Sequence, residues 1–587
     1  MFDVGQHIVL RRDGVEVVLK SPDNEMPQIV RWGKDYGVSY NDEELCALDA
    51  MTLKDTPPNK PDSAWRPSLL PQGNEGWAGR PGIEIFRGSE AQFVHWSSVK
   101  TSVNSEHSSL TVTAYDSVRL VEVTMHIELQ AGGLLTVYHT VSNRAAETDN
   151  REPLTVNFLD VTVPVVKDVD TLTHFTGRWP LEKQPQSIPL PVGSTTYGCR
   201  KGKTGHESSW MLILSDGEPK AQTGTVYGCH LAWSGNQTYR VDAMPAHEPV
   251  MGAGELLGPA EIQLAAGQSY ETPRVCFSWS DQGLDGMAAR FHQWLRDMPH
   301  RATTLRPFTL NTWEAVYFNH DEETLLKLAD RAASVGVERF VLDDGWFIAR
   351  RDDTKGLGDW QVDYGVWPRG LNNLAQHVHT LGMQFGLWFE PEMICLDSNV
   401  ARAHPEWILA DADSVPCRED LSYRNQYVLD LAHPEAFEYV RSQMAALIQE
   451  LGIDYIKWDH NREVTEPMHK GRYGLHEQTH ACYKLFDALK QEFSGLEIES
   501  CASGGARTDA GIMAHADRVW GSDTNDPRDR IDIQRWTELV LPPELIGAHI
   551  RTISSAYDVA LHRTQLSCCN FPYGMFWFGM EHFGMLR

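Results

Sequence analysis

From Pro307 onward, short apolar runs alternate with amphipathic helical stretches, and that alternation limits the fold more than any other feature of the chain. "TLNTWEAVYF" precedes the helical "DEETLLKLADRAASVG", and "RFVLDDGWF" follows it. "NLAQHVHTLG" leads into "MQFGLWFEPE", "AFEYVRSQMAALIQELG" into "DYIKWDHN", "THACYKLFDALKQEFSG" into "LEIESCASGG", and "GIMAHAD" into "RVWGSDTND". A helix joining two apolar runs of this size is the crossover between parallel strands. Trp313, Asp343, Trp388, Asp459, Glu499 and Asp523 mark six strand ends, and "LIGAHI" and "FWFGM" supply two more. Eight such units predict a (β/α)8 TIM barrel over residues 307–587.

Residues 1–280 follow a different period. Val121, Val123, Met125, Ile127 and Leu129 alternate with Glu122, Thr124, His126, Glu128 and Gln130, which gives a strand one apolar and one wet face. Ala131-Gly132-Gly133 turns the chain into a second strand. Pro/Gly-rich connections recur and no helix of useful length interrupts them, so a large antiparallel β-sandwich is expected. Over 281–306, Met287, Phe291, Trp294 and Leu295 recur at helical spacing, which predicts a linker helix ended before Pro299.

A chain of 587 residues needs more than one core, in keeping with this division. The formal charge of −28 repels nucleic acid and anionic membrane surfaces. The N-terminus carries Asp3 and breaks its early apolar run with Arg11, Arg12 and Asp13, unlike a signal peptide. No window is long and apolar enough to span a membrane. Ten cysteines lie without metal-ligand spacing, apart from the adjacent Cys568 and Cys569, and read as free thiols of a cytoplasmic protein.

The chemistry follows from where the charges fall. In a barrel of this kind the carboxyl ends of the strands converge on one mouth. Here they end in Asp343-Asp344, in Trp388 with Glu390 and Glu392, in Lys457 and Asp459, in Glu499 and Cys501, and in Asp523. Aromatic faces stack on sugar rings, and two carboxyl groups across an anomeric carbon hydrolyse a glycoside. Lys457 lies two residues before Asp459 and projects to the same side of the strand, so its ammonium favours an ionised Asp459. Asp523 has no cation adjacent in sequence and more readily keeps a proton. Singly, each has a plainer reading: Asp343-Asp344-Gly345 as a turn, Trp388 and Cys501 as core, Arg424 as a loop charge, Asp459 as an ion pair with Lys457. Two other classes fit the outline. Asp343, Glu390 and Asp459 could hold Mg²⁺ for an enolisation with Lys457 as base, which chelator-insensitive activity removes. A non-catalytic sugar-binding protein predicts galactose binding without turnover.

The segment from Asn311 to His562 resembles the bacterial α-galactosidases of glycoside hydrolase family 36. The resemblance rests on "NTWEA", "FVLDDGWF", "LGDW", "FGLWFEPEM", "SYRNQYVLDL", "YIKWDHNR", "ESCASGG" and "GSDTND", which fall in the family's order at the family's strand ends. It implies a retaining exo-α-galactosidase acting on raffinose- or melibiose-like oligosaccharides, with no metal or organic cofactor. Asp459 is then the nucleophile and Asp523 the acid/base. Asp343 and Asp344 bind the axial O4 and the O6 of galactose, Lys457 and Arg424 reach other hydroxyls, and Asn461 belongs to the same set. Trp388 and Trp313 form walls, and Cys501 and Gly504 lie beside O2. The family's N-terminal domain sends a loop over the site, sometimes from a neighbouring subunit; Asp62, Trp77 and Trp179 are the candidates, and a homo-oligomer is expected. Transfer to sugar acceptors or action on N-acetylgalactosaminides are the nearer alternatives. Position 460 is His where the family usually has Met, and position 506 is Ala where Gly is frequent. After "LHRTQLS" the family pattern is lost, and the further C-terminal β domain of relatives is expected to be absent.

Overall fold

The computed structural model describes residues 7–55, 64–165, 169–245, 247–299, 306–411, 423–469 and 471–549. Asp62, the "FWFGM" strand and the Cys568-Cys569 pair lie outside them. Strand pairing up to Ser280 is antiparallel throughout. The strand Val121–Leu129 buries every second residue, as the alternation demands, and runs in register with Leu135–Asn143. In the turn between them Gly132 and Gly133 both take positive φ, at 76° and 72°. A Cβ on Gly132 would also come within 3.0 Å of the Arg290 carbonyl, so the turn presses directly on the linking helix. Both strands belong to a ten-stranded sheet that ends, at one edge, in the hairpin Thr171–Arg178 and Leu181–Pro189.

One helix departs from the sequence expectation for this region. Asp42–Thr52 folds because Asn41 accepts from the Glu44 N–H while Glu44 accepts from the Asn41 N–H, a complete capping box. Only Leu45 of that helix is buried, so it has no apolar stripe by which to be recognised.

The linking helix, Gly283–Asp297, buries Met287, Phe291, Trp294 and Leu295 against the sandwich and stops before Pro299. Beyond it, seven parallel strands pair in chain order: Thr309–Asn311, Arg339–Leu342, Gln384–Phe389, Tyr455–Trp458, Glu497–Ser500, Arg518–Trp520 and Ile546–Gly547. Among the described residues this is the barrel wall. Two local expectations shift. The first strand ends at Asn311, because Trp313 already opens a short helix, Trp313–Val316. "GIMAHAD" forms only a single 3-10 turn, Ile512–Ala514. Inside the barrel, Val341, Tyr455 and Trp520 from alternate strands pack together with Cys501 as a separate apolar layer beneath the mouth. Among the described residues no helix is long and apolar enough to cross a membrane.

Candidate active site

At the carboxyl ends of these strands lies a cleft of about 650 Å³, lined by Trp179, Trp313, Asp343, Asp344, Trp388, Arg424, Lys457, Asp459, Asn461 and Asp523. The strand ends and the turn of the sandwich hairpin, which supplies Trp179, bring together side chains separated by up to 344 residues in sequence. A larger groove of about 880 Å³ lies between the sandwich and the helix Leu475–Glu492, but Glu261 there is already taken by the Gly258 and His476 backbone N–H groups. The carboxylates that converge from successive strand ends, Asp343, Asp344, Asp459 and Asp523, are in the smaller cleft.

Asp459 follows directly on the strand Tyr455–Trp458 and is 8 % exposed. It accepts from Asn461 Nδ2 at 2.8 Å and Trp388 Nε1 at 3.3 Å, and from the backbone N–H groups of His460 at 2.9 Å and Ser503 at 3.2 Å. Burial pushes its carboxyl up, but the Lys457 ammonium and these donors outweigh that and hold it at about 2. Asp459 is therefore ionised at any ordinary pH.

Asp523 faces the same cleft in a different setting. Its two oxygens accept from two indoles, Trp179 Nε1 at 2.9 Å and Trp520 Nε1 at 2.8 Å. Burial raises its pKa, the Asp459 charge adds to the rise, and the indoles and Lys457 only partly offset it. The two carboxyl groups are thus biased in opposite directions, one towards losing its proton and one towards keeping it.

The acidic pair on the second strand is held by cations. Asp343 accepts from Lys457 Nζ at 3.0 Å and from Asn311 Nδ2 at 2.5 Å. Asp344 is gripped by Arg350, through Nε at 2.9 Å and Nη2 at 2.7 Å. Burial works against the charge of both cations, yet each carboxylate holds its partner charged. Arg424, in a left-handed turn with φ of 54°, reaches the cleft from the loop and pairs with Asp353 at 3.6 Å.

Several expected residues sit elsewhere. Cys501 is buried in the layer beneath the mouth, where burial raises its thiol pKa well above the usual range. Glu499 lies inside the barrel, 0 % exposed. Trp77 is not brought to the cleft within this chain: its ring packs on His247 and its Nε1 donates to the Arg80 carbonyl at 3.0 Å. Gly504 is not part of the cleft lining and packs against Asp523 instead: a Cβ there would lie 3.0 Å from the Asp523 nitrogen and 2.9 Å from Glu182 Oε1. His460 turns away from the cleft towards Glu392 and Arg507. Ala506 is buried behind it, its carbonyl bonded to the Gly205 N–H.

Sequence reasoning passed over Arg350, Trp520, Asn311 and Glu182. Trp520 stands three residues before Asp523 at the end of a strand, a signal that was present. Glu182 offered none, because its partners lie more than 300 residues away. Glu390 was seen as a strand-end charge, but its surroundings were not. It accepts from the Asn461 N–H at 2.5 Å and from Gln426 at 3.1 Å, and burial together with Asp459 pushes it up to about 7. Among the described residues no group of three or more His, Cys, Asp or Glu side chains is arranged to hold a metal ion.

Two family models match, that of the glycosyl hydrolase family 36 N-terminal domain over residues 25–265 and that of melibiase over 269–568. An α-galactosidase of Escherichia coli is 39% identical over 488 residues, covering 82% of this chain and 67% of its own. α-Galactosidase 1 of Pediococcus pentosaceus is 32% identical over 493 residues, covering 82% of this chain and 65% of its own. The chain thus spans about two thirds of the length of these curated relatives. Among solved structures, the family 36 α-galactosidase AgaA of Geobacillus stearothermophilus in complex with raffinose superposes with a TM-score of 0.84, at 26% identity, over 98% of this chain and 83% of that one.

Proposed function

Because this chain belongs to glycoside hydrolase family 36, the melibiase family, we propose that it is a retaining exo-α-galactosidase that removes terminal α-linked galactose from raffinose- and melibiose-type oligosaccharides. The observation that supports this most directly is the opposed proton bias of Asp459 and Asp523 across one cleft. In the first step Asp459 attacks the anomeric carbon while Asp523 gives its proton to the departing glycosidic oxygen. In the second, Asp523 takes a proton from water, which displaces Asp459 from the same carbon, so the configuration is retained. Binding specificity rests on Asp343 and Asp344. Paired with Lys457 and Arg350, they accept hydrogen bonds from the axial O4 and from O6. A glucoside, whose O4 is equatorial, leaves a buried acceptor unsatisfied. Trp388 and Trp313 wall the ring, with Arg424 and Asn461 on other hydroxyls. Raffinose as the natural class is carried from the AgaA complex, a relative with the same fold. A cytoplasmic location is supported by the seven described cysteines, all unpaired, and a homo-oligomer by the family resemblance alone.

The test is release of nitrophenol from the α-galactoside beside the β-galactoside and α-glucoside, with chelator present, for the parent chain and for Asp459→Asn. Selective α-galactoside turnover that the substitution abolishes supports the reading. Turnover that survives Asp459→Asn overturns the nucleophile assignment.

A further inference from the structure

Two consecutive side chains of the sandwich hairpin, Glu182 and Lys183, are both buried, although neighbours in a regular strand point to opposite faces. The alternation breaks because Lys183 takes a positive φ of 56°, rare for a residue with a side chain, beside an irregularity in the pairing with Thr171–Arg178. The distortion sends both side chains into the barrel. Glu182 Oε1 accepts from the Gly505 N–H at 3.2 Å, Glu182 Oε2 accepts from Ser522 Oγ at 2.6 Å, and Lys183 Nζ donates to the Gly505 carbonyl at 3.3 Å.

These contacts enclose Asp523. Ser522 precedes it and Thr524 follows it, and the Thr524 N–H donates to the same Ser522 Oγ at 3.1 Å that Glu182 holds. On the other side Gly504 lies against both: a Cβ there would come within 2.9 Å of Glu182 Oε1 and 3.0 Å of the Asp523 nitrogen, so no side chain fits between them. Glu182 touches neither the cleft nor any group in it, so its effect must pass through the placement of Asp523. We propose that Glu182 is a positioning residue for the acid/base: a buried carboxylate of the sandwich that ties the Gly505 and Ser522 loops together and so fixes where Asp523 presents its proton. This rests on reading Asp523 as the acid.

A positioning role has a signature that loss of folding lacks. Proton delivery matters most when the leaving group is poor, so its misalignment slows natural galactosides more than activated aryl ones. Turnover of raffinose and of p-nitrophenyl α-galactoside should be compared for Glu182→Ala, Glu182→Gln and Asp523→Ala, each normalised to the fraction labelled by a fluorinated galactosyl inactivator. Glu182→Ala should lose at least about tenfold more rate on raffinose than on the aryl substrate, the size of effect expected from a misplaced reacting group. Glu182→Gln should recover much of that loss, since its amide can still accept from Gly505 and donate to Ser522. Equal losses on both substrates after normalisation, or an unimpaired Glu182→Ala, overturn the proposal. If Asp523→Ala itself shows no dependence on the leaving group, the acid/base reading is what fails, and the proposal falls with it.

Discussion

Asp459 and Lys457 lie two residues apart, and their coupling has a measurable sign. Asp459 must be ionised to attack, and Lys457 is the largest influence opposing the effect of burial on it. Lys457→Met should therefore raise the Asp459 pKa and move the acid limb of the kcat/KM profile to higher pH. The same change leaves Asp343 without its ammonium, so kcat/KM should fall at neutral pH as well; an acid limb that does not move would detach Lys457 from Asp459. Asp523 gives the opposite case, because the Trp179 indole stabilises its carboxylate form. Trp179→Phe should raise the Asp523 pKa, keep the acid protonated to higher pH, and shift the basic limb upward. A basic limb that stays or falls would count against Asp523 as the group behind it. The sequence period made the shared side of Lys457 and Asp459 readable. It could not show that Lys457 Nζ reaches across to Asp343, 114 residues away, or that two indoles cap Asp523, since such partners are defined only once the barrel closes.

At the scale of elements, legibility followed the strength of the period. The strand Val121–Leu129 and the linking helix each have an uninterrupted apolar pattern, and both were readable. The helix Asp42–Thr52 has one buried residue, so its only signature was the capping box at Asn41 and Glu44, which a search for apolar stripes passes over. That capping is open to test. Asn41→Ala should cost about 1 kcal/mol and lower the melting temperature by roughly 1–2 °C. Because Leu45 packs on Val18 and Val30 within the sandwich, kcat/KM on the nitrophenyl galactoside should not change. A drop in kcat/KM without a drop in melting temperature would mean that this helix communicates with the cleft.

The whole molecule depends on contacts between sandwich and barrel that composition does not reveal. His230, on the sandwich strand Val226–Ala232, bonds through Nδ1 to the Trp210 carbonyl at 2.8 Å and accepts at Nε2 from the Ala510 N–H of the barrel at 3.0 Å. Only the neutral ring satisfies both, and burial lowers its pKa to about 4, with Asp509 favouring and Lys183 opposing the charged form. Its folded pKa lies below its unfolded one. The stability it contributes is therefore complete above its ordinary value of 6.5 and is lost as pH falls towards about 4, at up to about 1.4 kcal/mol per pH unit. His230→Gln, which can still donate and accept, should flatten the dependence of melting temperature on pH across that window; parallel curves for the two proteins would exclude it.

The hairpin that carries Trp179 and Glu182 also imposes an order on assembly. A chain made from its N-terminus completes the sandwich first, so the donor for Asp523 and the tie between its loops are in place before Asp459 or Asp523 has been synthesised. A barrel folded without the sandwich would lack both, so the onset of turnover during refolding should lag the closing of the barrel until the two halves dock.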